Sequence, residues 1–400
     1  MSNNFNCRIC GKKNFELIID LGDQPWGNHF LKKSEIGSEP KYPLRLIYCL
    51  ECGLPQLDFT VKKEIMFGNH TYLSGITKTL EKHFLETATN VSKYLPDNSN
   101  KNILDIGSND GTLLKQFKKL GFKVLGFESS TITADLANNS GIQTINEFFN
   151  YSQAVNLNQK FDVINAAGVF YHLEELHSVT EGIKLLLKEN GIFVIHFVYM
   201  KTLVDNCAFD QIYHEHLLYY NLNTLKTLLN LHNLEIFDYF DSDIHGGSLI
   251  AFVCHKNKRN VSKKVNKQLA VENKSECNSL KFYKFFAENI KRTKRENLIF
   301  LEKNLKLKKK IFGFGAPVKG NTLINYFGIT KNDIPYLIEK NKLRRNMYSP
   351  GSHIPVKIED EFKEIPDIYY VLAWNFKKEI LNNNKDLINK GIEFYFPINF

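Results

Sequence analysis

Apolar residues come in short blocks separated by glycine, asparagine and aspartate, and the period inside each block predicts its element. Ile103–Ile106, Lys123–Phe127, Phe161–Ala166 and Ile192–Phe197 read as strands. Helices fall between them: one carries Leu113, Leu114 and Phe117 on its inner face, and another starts near Leu176. Leu234–Phe240 and Leu249–Val253 form a late hairpin that closes the sheet. The alternation predicts an α/β fold with a doubly wound, Rossmann-like sheet and a ligand crevice at the strand carboxyl ends. From Lys310 the pattern restarts, with a strand at Ile311–Phe314, a glycine-rich turn, and a helix at about Thr322–Tyr326. Strands near Ile368–Trp374 and Phe394–Pro397 complete a second α/β domain. Between the two units, Leu280, Tyr283, Phe286 and Ile290, then Leu298, Leu301 and Leu305, recur at the steps of an amphipathic helix.

Length and composition agree with this division. The 400 residues suit two or three folded units, and 43% apolar with 24% charged residues is ordinary for a globular chain. No apolar run is long enough to span a bilayer, and the first residues lack a secretory h-region, so a cytoplasmic protein is expected. The net charge of +9 is local: Lys256–Lys310 holds 18 basic and 5 acidic residues, leaving −4 elsewhere. That segment reads as solvated helical connectors, or alternatively as a surface that attracts anions. Neither a nucleic acid nor a membrane is an expected partner.

The cysteines add a third unit. Cys7-x-x-Cys10 and Cys49-x-x-Cys52 are each followed by a glycine, Gly11 and Gly53. Paired knuckles of this kind read as a four-thiolate zinc site, closed and therefore structural, with two unrelated reduced pairs as the competing reading. The long spacing between knuckles requires a small insertion. Nine basic against eight acidic residues over Met1–Met66 leave no basic face for nucleic acid.

The densest chemical signal is Asp105-x-Gly107-x-x-x-Gly111, on the turn from strand to helix, with Glu128 at the end of the next strand. Glycines let the backbone approach a ligand, and an acid at that distance suits a ribose diol. The spacing is not the dinucleotide GxGxxG, so the loop suits a nucleoside carrying an amino-acid tail. It resembles motif I of the class I S-adenosylmethionine-dependent methyltransferases. That resemblance implies that Gly107, Asn109 and Gly111 border the amino-acid tail, Asp105 supports the loop and Glu128 holds the ribose. A generic strand–loop–helix is the competing reading.

Two segments supply acid–base groups. His172 follows the third strand and should face the crevice, although a lone histidine is as often a packing residue. Tyr213, His214, Glu215 and His216 stand together in FDQIYHEH, with the wrong spacing for an HExxH zinc helix. Proton chemistry is the preferred reading, against a metal site with histidines on one face of an extended segment, or a polar loop over packed aromatics. In the second α/β domain, Lys319 and Asn321 lie in the glycine-rich turn that runs from Gly313 to Asn321, which serves either packing or an anion.

Taken in order, CRICG, CLECG, DIGSNDGTLL, FDQIYHEH, IHGGSL, FGFGAPVKGNTLINYFGI, SPGSHIPV and LAWNF resemble the sugar C-methyltransferases of deoxysugar biosynthesis over nearly the whole chain. The resemblance implies a zinc-binding module at 1–68, a methyltransferase domain at 69–256, and a helical connector with a C-terminal α/β substrate domain at 257–400. It implies His216 as general base, Tyr213 and Glu215 beside it, and His172 and Tyr72 facing the substrate. Lys319 and Asn321, and more weakly His245, would contact a nucleotide-sugar. The implied reaction adds a methyl from S-adenosylmethionine to the carbon next to a ketone of a nucleotide-linked keto-deoxysugar. Two departures stand out: Ser129 where the family often has proline, and His214 where it often has aspartate. An O- or N-methyltransferase on a related precursor is the alternative, and a noncatalytic zinc-containing assembly protein is a third class. Oligomeric state is not legible.

Overall fold

The computed structural model describes residues 5–68, 73–76, 78–96 and 100–398, apart from the side chains at 76, 78, 79 and 245. Tyr72 and the His245 side chain therefore lie outside the described residues. Three sheets follow one another along the chain. In the first, β1 (Phe15–Pro25) pairs antiparallel with β2 (Lys41–Cys49), which pairs antiparallel with β3 (Pro55–Leu57). Residues 26–40 connect β1 to β2 and form the insertion that the knuckle spacing required. The short helix α1 (Lys63–Phe67) follows.

The second sheet is preceded by α2 (Lys78–Ser92). Its elements are β4 (Asn102–Ile106), α3 (Thr112–Lys119), β5 (Lys123–Phe127), α4 (Thr131–Asn139), β6 (Thr144–Ile145) and α5 (Tyr151–Leu157). They continue with β7 (Phe161–Ala167), α6 (Leu176–Leu186), β8 (Leu187–Val198), α7 (Met200–Asp205), α8 (Leu222–Leu231), β9 (Leu234–Ser242) and β10 (Ser248–His255). The strand order is β6-β5-β4-β7-β8-β10-β9, parallel except for β10, which runs antiparallel to both neighbours. Ile103, Val163, Ile192 and Val194 join Phe84 and Ala88 of α2 and Leu113, Leu114 and Phe117 of α3 in one core. Leu104, Ile164, Phe193 and Ile195 join Val179 and Ile183 of α6 and Leu225 of α8 in the other. Covered on both faces, the strands read in sequence as apolar runs rather than alternations. Each fully buried side chain of this kind contributes roughly 1.5–3 kcal/mol. Strand order reverses between β4 and β7, which opens the ligand crevice there.

Helices α9 (Lys263–Lys274) and α10 (Leu280–Lys306) lead to the third sheet. It consists of β11 (Ile311–Phe314), α11 (Val318–Phe327), β12 (Leu337–Glu339), β13 (Val356–Ile358), β14 (Ile368–Val371), α12 (Lys377–Asn383), α13 (Lys385–Asn389) and β15 (Glu393–Tyr395). All five strands are parallel, in the order β13-β12-β11-β14-β15.

The basic connector differs from its sequence reading. Helix α10 is not a merely solvated link, because it buries Tyr283, Phe286, Ala287, Ile290, Asn297, Leu301 and Asn304. Leu298, expected on that stripe, is 37% exposed. The buried face runs instead through Asn297, which accepts the Tyr370 hydroxyl at 2.7 Å and donates to the Pro397 carbonyl at 3.1 Å. Helix α11 starts at Val318 rather than near Thr322, with Pro317 as its N-cap at φ −69°. Lys319 and Asn321 thus belong to the helix and not to the turn before it.

Candidate active site

The cofactor loop forms where β4 stops. Gly107 and Gly111 adopt φ of +70° and +74°, the left-handed region that disfavours side chains. A Cβ on Gly107 would lie 2.4 Å from Val169 Cγ2. Glu128, just past β5, accepts the backbone N–H of Asn109 and of Ser130, each at 2.8 Å. Burial pushes its carboxyl above the usual range despite those donors. Asn109 Oδ1 in turn accepts the Ser74 N–H at 2.9 Å. Below the loop, the Asn165 amide donates to Asp105 at 2.6 Å, and burial lifts the Asp105 carboxyl to about 7. Ser108 Oγ and Asn165 Oδ1 are buried here with no hydrogen-bond partner among the described residues. Tight glycines, a buried acid at the second strand end and unspent polar atoms fit a bound nucleoside with a polar tail.

The acid–base cluster forms at the same sheet edge from two loops. The chain after β7 carries Tyr171 and His172, and Tyr171 O accepts the N–H groups of Leu217 and Leu218 at 2.9 and 3.2 Å. That backbone pairing sets His216 against the first loop: its ring stacks on His172 at 5.2 Å and meets the edge of Tyr171 at 4.7 Å. Tyr213 lies 3.9 Å from the His216 ring. His216 Nδ1 is 2.8 Å from the Gln211 carbonyl oxygen. Burial, reinforced by the charge of Glu215, drives the Tyr213 phenol well above its ordinary value, so it remains a proton donor at neutral pH. Phe67 of α1 stacks on the far side of His172 at 5.4 Å.

Residues 213–216 form a turn, with His216 N–H on Tyr213 O at 2.9 Å, rather than an extended segment with two histidines on one face. His214 points away from His216, toward the carbonyl of Tyr42 at 3.3 Å. Glu215 accepts the Trp26 indole N–H at 2.7 Å. Tyr171, Trp26 and Gln211 carried no sequence signal, because each lies in the site only through pairings between distant segments.

The C-terminal candidates sit at a junction. Lys319 is buried, 3.6 Å above the Trp374 ring and 2.7 Å from Asn375 Oδ1. Trp374 also donates to Asp210 at 2.6 Å, one residue before Gln211. Burial lowers Lys319 to about 8, opposed by the charge of Asp210. The turn holding His245 packs on the same tryptophan: a Cβ on Gly246 would lie 2.7 Å from the Trp374 ring. Asn321 donates one of its two amide N–H groups to the Gly27 carbonyl at 2.7 Å, and its buried Oδ1 has no hydrogen-bond partner among the described residues.

The four knuckle cysteines converge. Their sulfurs all lie within 4.8 Å of one another, with Cys7–Cys52 at 3.5 Å and Cys10–Cys49 at 3.6 Å. Sulfurs around a tetrahedral zinc ion sit about 3.8 Å apart for Zn–S bonds of ~2.3 Å. Gly11 and Gly53 close the two turns at φ +70° and +75°, and the Gln56 amide donates to Cys7 Sγ at 3.1 Å. Hydrogen bonds from Cys49 and Cys52 hold the Cys7 thiol far below its ordinary range, while Cys49 and Cys7 push Cys52 far above it. A divalent cation resolves that conflict by stabilising all four thiolates together.

Three family descriptions tile the chain in this order. Residues 7–67 match the "Putative zinc binding domain", 80–238 the "Methyltransferase domain", and 243–399 the "C-methyltransferase C-terminal domain". The chain belongs to the S-adenosylmethionine-dependent C-methyltransferases. Its cofactors are S-adenosylmethionine and a structural zinc ion, for which Cys7, Cys10, Cys49 and Cys52 offer four sulfurs within 4.8 Å of one another. This C-methyltransferase is 27% identical to C-methyltransferase NovU of Streptomyces niveus over 398 residues, 98% of this chain and 95% of that protein. Over 101 residues it is 32% identical to the ubiquinone biosynthesis O-methyltransferase of Actinobacillus pleuropneumoniae, covering 23% of this chain and 43% of that one. Among solved structures it is similar to the plantazolicin methyltransferase BpumL in complex with SAH (TM-score 0.37, 17% identity, 45% of this chain and 86% of that chain). It is also similar to an S-adenosylmethionine-dependent methyltransferase from Clostridium acetobutylicum (TM-score 0.35, 16% identity, 44% and 91%). Among the described residues, no helix is long and apolar enough to cross a membrane.

Proposed function

We propose that this C-methyltransferase acts on a nucleotide-linked keto-deoxysugar, and that His216 removes a proton from the carbon beside the ketone. The observation that carries the reading is the 2.8 Å contact of His216 Nδ1 with the Gln211 carbonyl. A carbonyl oxygen only accepts, so Nδ1 carries a proton, and the neutral tautomer that this contact selects has its lone pair at Nε2. That is the tautomer a base acting through Nε2 requires.

Carbon methylation needs such a base because a ketone becomes nucleophilic at carbon only after losing its α-proton. Imidazole is far weaker than the enolate it creates, and each unit of mismatch costs about 1.36 kcal/mol. Donors that meet the developing oxyanion offset the difference. Tyr213, kept protonated by burial, supplies one, and His172, stacked on the base, supplies a second. The family resemblance adds Tyr72 as a further candidate donor. Bound S-adenosylmethionine supplies an electrophilic methyl group on a sulfonium. The α-proton ends on His216 Nε2, a C–CH₃ bond forms, and the S–CH₃ bond breaks. Holding the sugar in line is then the main task of the surrounding residues. Lys319, Asn321 and the turn bearing His245 are the C-terminal candidates for that task.

The test is incubation with S-adenosylmethionine and thymidine-diphosphate-linked 4-keto-6-deoxy sugars, followed by mass spectrometry and proton NMR. The expected result is a gain of one methyl, seen as a singlet on a quaternary carbon, with loss of the α-proton. His216→Ala should slow both exchange of that proton in D₂O and transfer by about 10²–10⁴-fold. A methoxy signal, or an unchanged exchange rate in the variant, overturns the proposal.

A further inference from the structure

The cysteine-rich module contributes one side chain to the transfer site. Trp26 follows β1 directly, 189 residues before Glu215 in sequence, and its Nε1–H meets Glu215 Oε1 at 2.7 Å. An indole nitrogen only donates, and the carboxylate is almost fully buried, so the pairing is directional and charge-assisted.

Both flanks of the tryptophan are fixed. Pro25 is the last residue of β1, in register with Lys41 of β2. Gly27 accepts the Asn321 amide, and a Cβ there would lie 3.1 Å from the Val318 carbonyl oxygen, so this backbone is wedged against α11. The ring itself stacks on His29 at 6.2 Å.

The same module grips the catalytic turn on either side of Glu215. His214 bonds the Tyr42 carbonyl, and its ring meets the edge of Tyr42 at 5.8 Å. Leu57 N–H donates to Leu217 O, and Tyr219 N–H to Pro55 O, both at 3.0 Å. With the turn held at 214 and at 217–219, Trp26 reaches the one acidic side chain between those points.

We propose that Trp26 is a positioning residue for methyl transfer: its indole N–H holds the Glu215 carboxylate beside Tyr213 and His216. The inference rests on the reading that Glu215 belongs to the transfer site. A buried carboxylate without donors protonates or turns toward water. Burial already lifts Glu215 to about 7, and the indole N–H is the group that opposes this. Losing it changes the charge felt by Tyr213 next door.

The test compares Trp26→Phe, which keeps a ring and loses the donor, with Glu215→Gln and the double variant. Each is assayed as the zinc-loaded full chain, with S-adenosylmethionine and a thymidine-diphosphate-linked 4-keto-6-deoxy sugar. Trp26→Phe should lower kcat about tenfold, the scale of one hydrogen bond to a charged group, with the KM for S-adenosylmethionine and the zinc content unchanged. The double variant should lose no more than Glu215→Gln alone, because the two side chains act as one unit. Trp26→His, which restores an N–H, should recover most of the loss.

A readout independent of turnover is the ¹⁵N-indole spectrum. The Trp26 signal should move in Glu215→Gln while that of Trp374 stays. A stationary Trp26 signal, multiplicative losses in the double variant, or a wild-type kcat for Trp26→Phe beside an impaired Glu215→Gln each overturns the inference alone. Full kcat in Glu215→Gln removes Glu215 from the transfer site, and the inference falls with it.

Discussion

In both parallel sheets the first strand runs into a glycine turn and a helix, and the next strand ends at a glutamate that accepts an N–H from that turn. Glu128 takes the N–H of Asn109 at 2.8 Å, and Glu339 takes that of Ala316 at 2.9 Å. Beyond this the two diverge. Glu128 is held by neutral donors, and burial raises its carboxyl. Glu339 also accepts from the N–H groups of Lys340 and Asn341 and pairs with the Arg344 guanidinium at 3.3 Å. Arg344 further bonds the Ala316 carbonyl and lies 4.2 Å over the Phe30 ring of the cysteine-rich module. Glu128 has no cationic partner among the described residues, whereas Glu339 is neutralised and covered by its own chain. Strand order and glycine spacing do not distinguish them. Function resides in how each carboxylate is compensated, not in the shared topology.

Removing zinc gives the largest expected effect on this contrast. The module meets Arg344 beside Glu339 through Phe30, and it holds the turn at 213–216 through Tyr42, Pro55 and Leu57. Chelation should lower Tm by more than about 10 °C, as loss of a structural zinc site commonly does. Turnover should vanish while S-adenosylmethionine affinity falls far less, as calorimetry on the zinc-free protein would show. Equal losses of both would mean that the module supports the two crevices alike.

Exchanging the acids one at a time sharpens the comparison. Glu128→Gln should weaken S-adenosylmethionine binding about ten- to hundredfold with little change in Tm, since an amide cannot take every N–H that the carboxylate takes. Glu339→Gln should leave that affinity unchanged and cost about 1–3 kcal/mol of stability, by stranding a mostly buried guanidinium. Isothermal titration and denaturant unfolding separate the two outcomes.

The smallest effect concerns pH. Burial lifts Asp105 to about 7, with the charge of Glu128 adding to the rise against the pull of Asn165. The folded chain therefore holds a proton there that the unfolded chain releases near pH 4. Stability should fall as pH rises from about 4 to 7 and level off above that. Asp105→Asn should flatten this share of the slope, readable as Tm against pH. An unchanged slope would place the uncompensated charge elsewhere in the second sheet.

The local features were legible in the chain alone. The CxxCG knuckles, the turn from Asp105 to Gly111, Glu128 at the end of the next strand, and the FDQIYHEH segment are each legible because tight turns and strand–helix switches depend on neighbouring residues. The alternating apolar blocks likewise fixed both α/β units, since a buried strand and an amphipathic helix have different periods.

How those pieces meet emerges from contacts between distant segments of the folded chain. Trp26 looks like any core tryptophan until the fold brings it to Glu215, and nothing near Asn321 in sequence announces its bond to the Gly27 carbonyl. The apolar step through Leu298 is displaced by a buried row containing Asn297, because Tyr370 and Pro397 supply partners that no nearby residue announces. His214 and His216 stand two apart in sequence and face different modules, because the turn between them is set by strand pairing with distant chain. Hydrogen bonds between segments hundreds of residues apart leave no periodic trace, so chemistry between modules becomes readable only after the chain has folded.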